Sequence, residues 1–86
     1  MTYRVEVVRK AAKFLASLRD TALRRRLLEV LRELETSPRP PGCVKLTGSS
    51  DVFRIRVGDH RIVYQVQDKV LLVLVIDIGH RREIYR

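Results

Sequence analysis

The stretch "DVFRIRVGDHRIVYQ", residues 51–65, predicts two β-strands joined by a tight turn at Gly58-Asp59. Apolar and polar residues alternate on both sides of the turn, which is typical of strands that bury one face. A two-residue loop fixes the register of such a hairpin, so Arg56 would lie directly opposite Arg61. Three arginines would then share one face of the sheet: Arg54, Arg56 and Arg61.

This shared face destabilises a small domain unless something offsets the repulsion. Like charges directly across a strand pair destabilise it by about 0.2 to 1 kcal/mol per pair. Guanidinium groups stay charged and bind phosphate with two parallel hydrogen bonds, so a nucleic-acid backbone lying among them would remove the repulsion. We interpret the three arginines as a candidate phosphodiester-binding site. The alternative is that they only solubilise an open sheet face.

The first half of the chain predicts a strand followed by a helical hairpin. The segment "TYRVEVV", residues 2–8, alternates with period two and predicts the first strand. Two amphipathic helices follow, and Asp20 or Thr21 is positioned to cap the second. The segment "SPRPPG", residues 37–42, ends the helical region because proline lacks an amide proton and restricts the residue before it. The apolar stripes of the two helices are Ala11, Phe14, Leu15 and Leu18, then Leu23, Leu27, Val30, Leu31 and Leu34.

The second half predicts three antiparallel strands in a meander, at residues 52–57, 60–67 and 70–78. The last strand is apolar on both faces, so we expect it in the interior of the sheet, covered on both sides. The first strand then pairs beside it, in a direction that the sequence leaves open. The order β-α-α-β-β-β predicts one α+β domain over residues 1–86, with the helical hairpin packed on a small, mainly antiparallel sheet.

Composition favours a partner of opposite charge. The chain of 86 residues has a formal net charge of +8 and a sequence pI near 10.6, which attracts polyanions or an acidic protein. Nothing near the single Cys43 suggests a disulfide, a metal site or a catalytic thiol, so neither a cofactor nor a metal is expected. The longest apolar run, "VLLVLVI", has the length of a strand, and the N-terminal residues lack the apolar core of a signal peptide. We therefore expect a cytoplasmic protein with no membrane partner.

A second basic block lies on the second predicted helix. Its residues are Arg24, Arg25, Arg26 and Arg32, interleaved with Glu29 and Glu33. Arg25 and Glu29 have i, i+4 spacing, so the prediction is a solvated, salt-bridged surface. The alternative is that this surface docks on RNA or on a protein partner.

RNA cleavage at the sheet arginines would also need proton transfer. RNA carries its own nucleophile, the 2′-hydroxyl, so an enzyme must orient it, remove its proton, stabilise the charged transition state and protonate the leaving oxygen. Arginine supplies the electrostatic part. The candidates for proton transfer near the arginines are His60, His80, Glu83 and Tyr85.

Three motifs, in order behind the helical hairpin, carry a family resemblance: "KLTG" at residues 45–48, "FRIRVGDHRIVY" at 53–64 and "GHRREIYR" at 79–86. Together they resemble the RelE/ParE superfamily of toxins from type II toxin-antitoxin systems, and most of all its RelE branch. The resemblance implies a metal-independent endoribonuclease, an mRNA interferase that enters the ribosomal A site and cuts messenger RNA by 2′-hydroxyl attack, which inhibits translation. It also implies a cognate RelB-like antitoxin with an acidic binding segment, and binding of operator DNA only as the toxin-antitoxin complex.

The resemblance implies roles for single residues as well. Arg61 and Arg81 match arginines that engage the scissile phosphate. Tyr85 matches a tyrosine that stacks on a base and helps to deprotonate the 2′-hydroxyl, although its spacing from Arg81 is shorter here. The residues expected to contact RNA outside the catalytic set are Lys45, His80, Arg82 and Arg86.

Arg54 and Arg56 depart from the pattern of the best-known member, which has two lysines at these positions. Arginine does not lose its proton in proteins, so these two residues can stabilise charge or polarise the leaving oxygen but are poor general bases. Proton abstraction would then fall on Tyr85 or His80.

Two other functions stay open. A ParE-like toxin of the same fold would poison DNA gyrase by binding, without nuclease chemistry. A non-catalytic RNA-binding or ribosome-associated module would use the same basic charge, because charge indicates attraction and not turnover. The residues from Arg81 to Tyr85 favour RNA cleavage, since they have no obvious purpose in gyrase binding.

Overall fold

The computed structural model describes residues 2–46, 48 and 51–80. Two helices lie on one face of a five-stranded mixed sheet, which confirms the predicted α+β fold. The helices are α1, Arg9–Ser17, and α2, Thr21–Glu33. The strands are β1, Arg4–Val7; β2, Val44–Lys45; β3, Val52–Val57; β4, His60–Gln67; and β5, Leu72–His80.

The strand order in the sheet is β1-β5-β4-β3-β2. The strands β3, β4 and β5 form the predicted antiparallel meander, and β5 lies in the interior between β1 and β4 as predicted. Strand β1 pairs with β5, and its direction, which the sequence left open, is parallel. Strand β2 was not predicted, since two residues are too few for a periodic pattern and only the pairing with β3 defines it.

Both helices bury the apolar stripes that their sequences predicted. The carboxylate of Asp20 accepts a hydrogen bond from the backbone N–H of Leu23 at 3.0 Å, so Asp20 is the cap of α2. The buried core between the helices and the sheet consists of Ala11, Leu15, Leu27, Leu31, Leu34, Phe53, Val57, Ile62, Tyr64, Val66, Val73, Val75 and Ile78. Among the described residues, no helix is long and apolar enough to cross a membrane.

The two faces of β5 are covered to different extents. Val73 and Val75 are fully buried on the helix side, whereas Leu72, Leu74 and Ile76 are half-buried. The prediction that β5 is covered on both sides is therefore correct for one face only. Long polar side chains cover part of the second face, because Glu6 of β1 and Gln65 of β4 both pair with Leu74.

The connection between β4 and β5 differs from the predicted two-residue turn. Asp68–Val70 form a 3₁₀ turn, and Leu71 has a φ of +52°, so β5 begins at Leu72. A β-bulge between Val63 and Tyr64 shifts the pairing of β4 with β5. The last strand is consequently two residues later in the chain than predicted.

An ion pair holds the loop between α2 and β2 against the end of β4 that is remote from Gly58. Arg39 donates to both carboxylate oxygens of Asp68, at 3.2 and 2.8 Å, and the hydroxyl of Tyr3 donates to the same carboxylate. Two hydrogen bonds hold the pKa of Asp68 below its usual range, chiefly the one from Arg39 and secondly the one from Tyr3. The Tyr64 hydroxyl also donates to the carbonyl of Pro38 at 2.9 Å.

Candidate functional site

The β3–β4 hairpin brings Arg54, Arg56 and Arg61 to the same side of the sheet. Arg56 pairs directly with Arg61, which confirms the predicted register. Side chains that are directly opposite in antiparallel strands share a face, and residues two apart in one strand also do. Their neighbours on the alternate face, such as Phe53 and Val57, belong to the core beneath the helices. These three arginines, called the arginine face below, therefore lie on the side of the sheet that the helices do not cover.

The three arginines differ in exposure. Arg56 is exposed, Arg54 is half-buried, and Arg61 keeps only 8% of its accessible surface. A side chain that is buried in a sheet has few rotamers open to it, so its guanidinium is held in place before any ligand arrives. Arg61 is thus the fixed member of the arginine face, and Arg56 is the exposed one.

The hairpin turn orients Arg56. Gly58 has a φ of +60°, in the left-handed region that favours glycine, and its carbonyl accepts a hydrogen bond from Arg56 Nε at 3.0 Å. A second arginine approaches the turn from the helix side, since Arg26 Nη1 lies 3.8 Å from the position that a Cβ on Gly58 would occupy. The turn therefore has guanidinium groups on both of its sides.

Strand β5 contributes two neighbours of β4 that sequence reasoning missed, one opposite Arg61 and one opposite Val63. Gly79 pairs with Arg61, so β5 adds no side chain next to that guanidinium. Asp77 pairs with Val63, and its carboxylate lies 3.6 Å from the ammonium of Lys10 in α1. A register counted residue by residue from the turns does not predict either neighbour, because the bulge between β4 and β5 shifts that register.

The two histidines lie on the opposite side of the sheet from Arg61. His60 pairs with Val57 of the core and with His80, and the His60 and His80 ring centres are 5.5 Å apart in an edge-on arrangement. The ring of Phe14 from α1 lies 5.9 Å from His60. His80 was predicted to contact RNA together with the arginines, but the register places it with the helices. Its RNA-binding role stays a prediction.

The remaining predicted site residues fall into two groups. Lys45 lies on the edge strand β2 and pairs with Phe53, so it shares the face of the core and not that of Arg54. Arg81, Arg82, Tyr85 and Arg86, together with Glu83, lie outside the described residues. Within the described part of the chain, no three histidine, cysteine or acidic side chains are grouped so that they could hold a metal ion.

Comparison with known proteins assigns the family. Residues 5–85 match a family model described as the ParE toxin of the type II toxin-antitoxin system, parDE. The chain belongs to this toxin family. The matched range includes both helices and all five strands except the first residue of β1. The prediction of a RelE/ParE superfamily toxin is therefore confirmed, and the protein is a toxin of a type II toxin-antitoxin system.

Solved structures of similar proteins show the same fold. The toxin is 36% identical to a chain of the archaeal RelE-RelB complex from Pyrococcus horikoshii, with a TM-score of 0.82 and coverage of 94% of the toxin and 97% of that chain. It is 34% identical to a mutant of the E. coli toxin RelE in the free state, with a TM-score of 0.81 and coverage of 99% and 92%. A chain of the intact E. coli RelBE toxin-antitoxin complex is also 34% identical, with a TM-score of 0.77 and coverage of 91% and 95%.

Proposed function

We propose that the toxin is a metal-independent endoribonuclease that cleaves messenger RNA in the ribosomal A site and so inhibits translation. The observation that carries this proposal is the arginine face, in which Arg56 and Arg61 hold like charges in directly opposite positions. Like charges directly across a strand pair repel each other, and a phosphodiester between the two guanidinium groups would offset that repulsion. The resemblance to the RelE branch implies RNA as the polyanion, and solved RelE toxins share the fold.

In this mechanism Arg61 is the main electrostatic catalyst. It is nearly buried, and it lies between Arg56 on β3 and Gly79 on β5, so the sheet holds it from both sides. Donors that are fixed in advance stabilise the charge of a transition state without having to reorganise during the reaction. Arg81 would provide a second guanidinium for the same phosphate, as the family resemblance implies.

Arg54 and Arg56 would act around the scissile phosphate and not as bases. The exposed Arg56 can exchange its hydrogen bond with the Gly58 carbonyl for one with a phosphate oxygen. Because arginine keeps its proton, both residues would stabilise negative charge and polarise the leaving oxygen.

Proton abstraction from the 2′-hydroxyl is assigned to Tyr85 in this proposal. The pairing of His80 with His60, on the helix side of the sheet, argues against His80 as the base at the arginine face. Lys45, Arg82 and Arg86 are proposed to contact RNA further from the scissile phosphate, and for Lys45 this agrees with its place on the edge strand β2.

The toxin is also proposed to be neutralised by a RelB-like antitoxin with an acidic binding segment. Two of the similar solved structures are RelE-RelB or RelBE complexes, and the net charge of +8 on this chain favours an acidic partner. The toxin-antitoxin pair would then bind its own operator DNA.

The test is primer extension on a translated message, with wild-type toxin and single variants. We expect Arg61→Ala to lower the cleavage rate by about 100-fold or more, which is the effect of removing one preorganised donor of charge. The exposed Arg56→Ala should lower it by about tenfold, because an exposed contact contributes less. The matched control is Arg4→Ala on β1, which removes an exposed arginine that pairs with Glu6 at 2.8 Å, far from the arginine face.

Folding and catalysis have to be separated for Arg61, because this residue is buried. Circular dichroism and a melting curve identify any variant that does not fold, and Arg61→Lys keeps the charge while losing the fork-shaped donor. Unchanged cleavage in folded Arg61→Ala and Arg56→Ala proteins would remove the arginine face from the mechanism.

A second candidate function is inhibition of DNA gyrase, because the matching family model is described as a ParE toxin. It predicts that purified toxin blocks supercoiling by gyrase and leaves translated messenger RNA intact. The nuclease proposal predicts the reverse result in both assays.

A further inference from the structure

Three aromatic rings join α1, β4 and β5 at the end of the sheet that carries Arg61. His60 is the first residue of β4 and pairs with His80, the last residue of β5. The His60 ring contacts two others, since the ring centre of Phe14 in α1 lies 5.9 Å away and that of His80 lies 5.5 Å away. Aromatic rings that are inclined to each other at such separations attract each other, so these contacts hold the three elements together.

Strand β5 is held less firmly at its end than at its start. Among the described residues, β1 pairs with β5 only from Leu72 to Val75, so the last residues of β5 have a strand neighbour on one side, which is β4. The terminal pair of a ladder opens most easily, because it has a neighbouring pair on one side alone. His60 and His80 form this terminal pair, and the contact between their rings opposes its opening.

The pair next to the two histidines is Arg61 with Gly79. Arg61 keeps only 8% of its accessible surface, and its Nε and Nη1 atoms are buried. Gly79 is buried as well, so the backbone of β5 flanks Arg61 on that side. When the terminal pair opens, this backbone moves away, and the Arg61 guanidinium gains conformational freedom and contact with water. The position of the guanidinium therefore depends on whether the terminal pair is closed.

We propose that His60 is a positioning residue for Arg61, because its ring contact with His80 keeps the end of β5 closed against β4 and so holds the Arg61 guanidinium in place. The proposal rests on the proposed function, in which Arg61 is the main electrostatic catalyst and has to be fixed before the phosphate arrives. The histidine rings lie on the opposite side of the sheet from the arginine face, so His60 acts without touching RNA there.

The first measurement is the rate at which the Arg61 Nε–H proton exchanges with water, followed by NMR on purified toxin. Exchange from a buried group needs the opened form, so the rate reports how often the terminal pair opens. One ring contact changes such an equilibrium by about two- to tenfold, and His60→Ala should accelerate the exchange by that factor. The conservative variant His60→Phe keeps a ring between Phe14 and His80 and should restore slow exchange. Gln67→Ala is the matched control and should leave the exchange unchanged, because it removes a half-buried side chain from the opposite terminal pair of the same ladder.

The second measurement is message cleavage at saturating ribosome concentrations, with ribosome binding measured separately by cosedimentation. His60→Ala should cleave about two- to tenfold more slowly, because a guanidinium with more freedom is less often in the reactive position. Its affinity for ribosomes should stay unchanged, since no contact with RNA is removed. Melting curves identify a variant that does not fold. Phe14→Leu tests the same contacts from α1 and should also accelerate the exchange, because it removes the first ring and keeps an apolar side chain.

Four results would overturn the proposal. They are unchanged exchange in folded His60→Ala protein, cleavage by that protein at the wild-type rate, equally accelerated exchange in Gln67→Ala, and loss of cleavage in His60→Phe while its exchange stays slow. The last result would make the imidazole a proton-transfer group. Faster exchange in His60→Ala that His60→Phe restores, together with no message cleavage by wild-type toxin, would support the positioning of Arg61 and reject the nuclease.

Discussion

Replacing Tyr64 by phenylalanine tests how the proline-rich loop is fastened to the sheet. The Tyr64 side chain is fully buried, with 0% exposure, and its hydroxyl donates to the Pro38 carbonyl at 2.9 Å. The Tyr64→Phe variant keeps the ring in the core and removes this one donor, which costs about 0.5 to 1.5 kcal/mol. In a domain of this size a loss of about 1 kcal/mol lowers the melting temperature by about 4 to 8 °C. We therefore expect a folded variant that melts several degrees below the wild type at pH 7.

The same substitution predicts a dependence on pH whose sign follows from the pKa of the phenol. Burial raises the pKa of Tyr64 above its ordinary value, and the neighbouring Cys43 raises it further. Because the folded-state pKa exceeds the unfolded value of about 10, the contribution of Tyr64 to stability is complete below that pH and is lost as the pH rises above it. The difference in stability between wild type and Tyr64→Phe should therefore shrink in alkaline solution.

Melting curves at pH 7 measure the first effect, and urea unfolding at a series of pH values from neutral to strongly alkaline measures the second, both followed by circular dichroism. Tyr3→Phe is the comparison variant, because the Tyr3 hydroxyl also donates a hydrogen bond, to Asp68, but is not buried in the core. Water replaces a lost partner at an exposed site, so its effect should be smaller. The reasoning is refuted if Tyr64→Phe melts like the wild type at pH 7, or if the gap between the two proteins stays constant across the alkaline range.

Three further substitutions test the framework around the site. Asp68→Asn should destabilise the toxin at neutral pH and have no effect in acid. The lowered pKa of the Asp68 carboxyl contributes stability that is lost as the pH falls through that pKa, and melting curves at several pH values check this. Gly58→Ala should cost about 1 to 2 kcal/mol in urea unfolding, because φ is +60° while the nearest side-chain atom leaves room for a methyl group. Leu31→Ala should cost about 2 to 5 kcal/mol in the same assay, because Leu31 is 6% exposed and its removal leaves a cavity between α2 and the sheet.

The hairpin could be predicted from its own residues, and the edges of the sheet could not. Alternation on both sides of a two-residue turn permits one register, so the opposition of Arg56 and Arg61 follows from local sequence. The parallel direction of β1 and the existence of β2 depend on contacts between segments far apart in the chain. Periodicity in one segment carries no information about its partner, which is why both features were left open or missed.

The part of the candidate site on β3 and β4 could be predicted from the sequence, but the pairing of β4 with β5 could not. A β-bulge adds one residue to a strand, and an added residue moves every later side chain to the other face. The bulge beside Val63 therefore decides that Gly79 lies next to Arg61 and that His80 lies with His60. His80 directly precedes Arg81 in the sequence, and this proximity suggested a place beside the arginines, whereas the register pairs it with His60. The ion pair of Lys10 with Asp77 also joins segments that are far apart in the chain, so the pattern of neither segment predicts it.

In the two-layer architecture the apolar core and the charged side chains of the arginine face lie on opposite sides of the sheet. This arrangement determines which variants can separate catalysis from stability. Core side chains occupy the helix side of the sheet, so an exposed arginine on the other side can be removed without opening a cavity. Arg56 meets this condition, so a loss of cleavage in an Arg56→Ala protein of wild-type stability can be attributed to the missing guanidinium. Arg61 does not, because its burial makes it both the best-positioned group for catalysis and a part of the packing. A large effect at Arg61 therefore supports the mechanism only when the smaller effect at Arg56 accompanies it in a protein of unchanged stability.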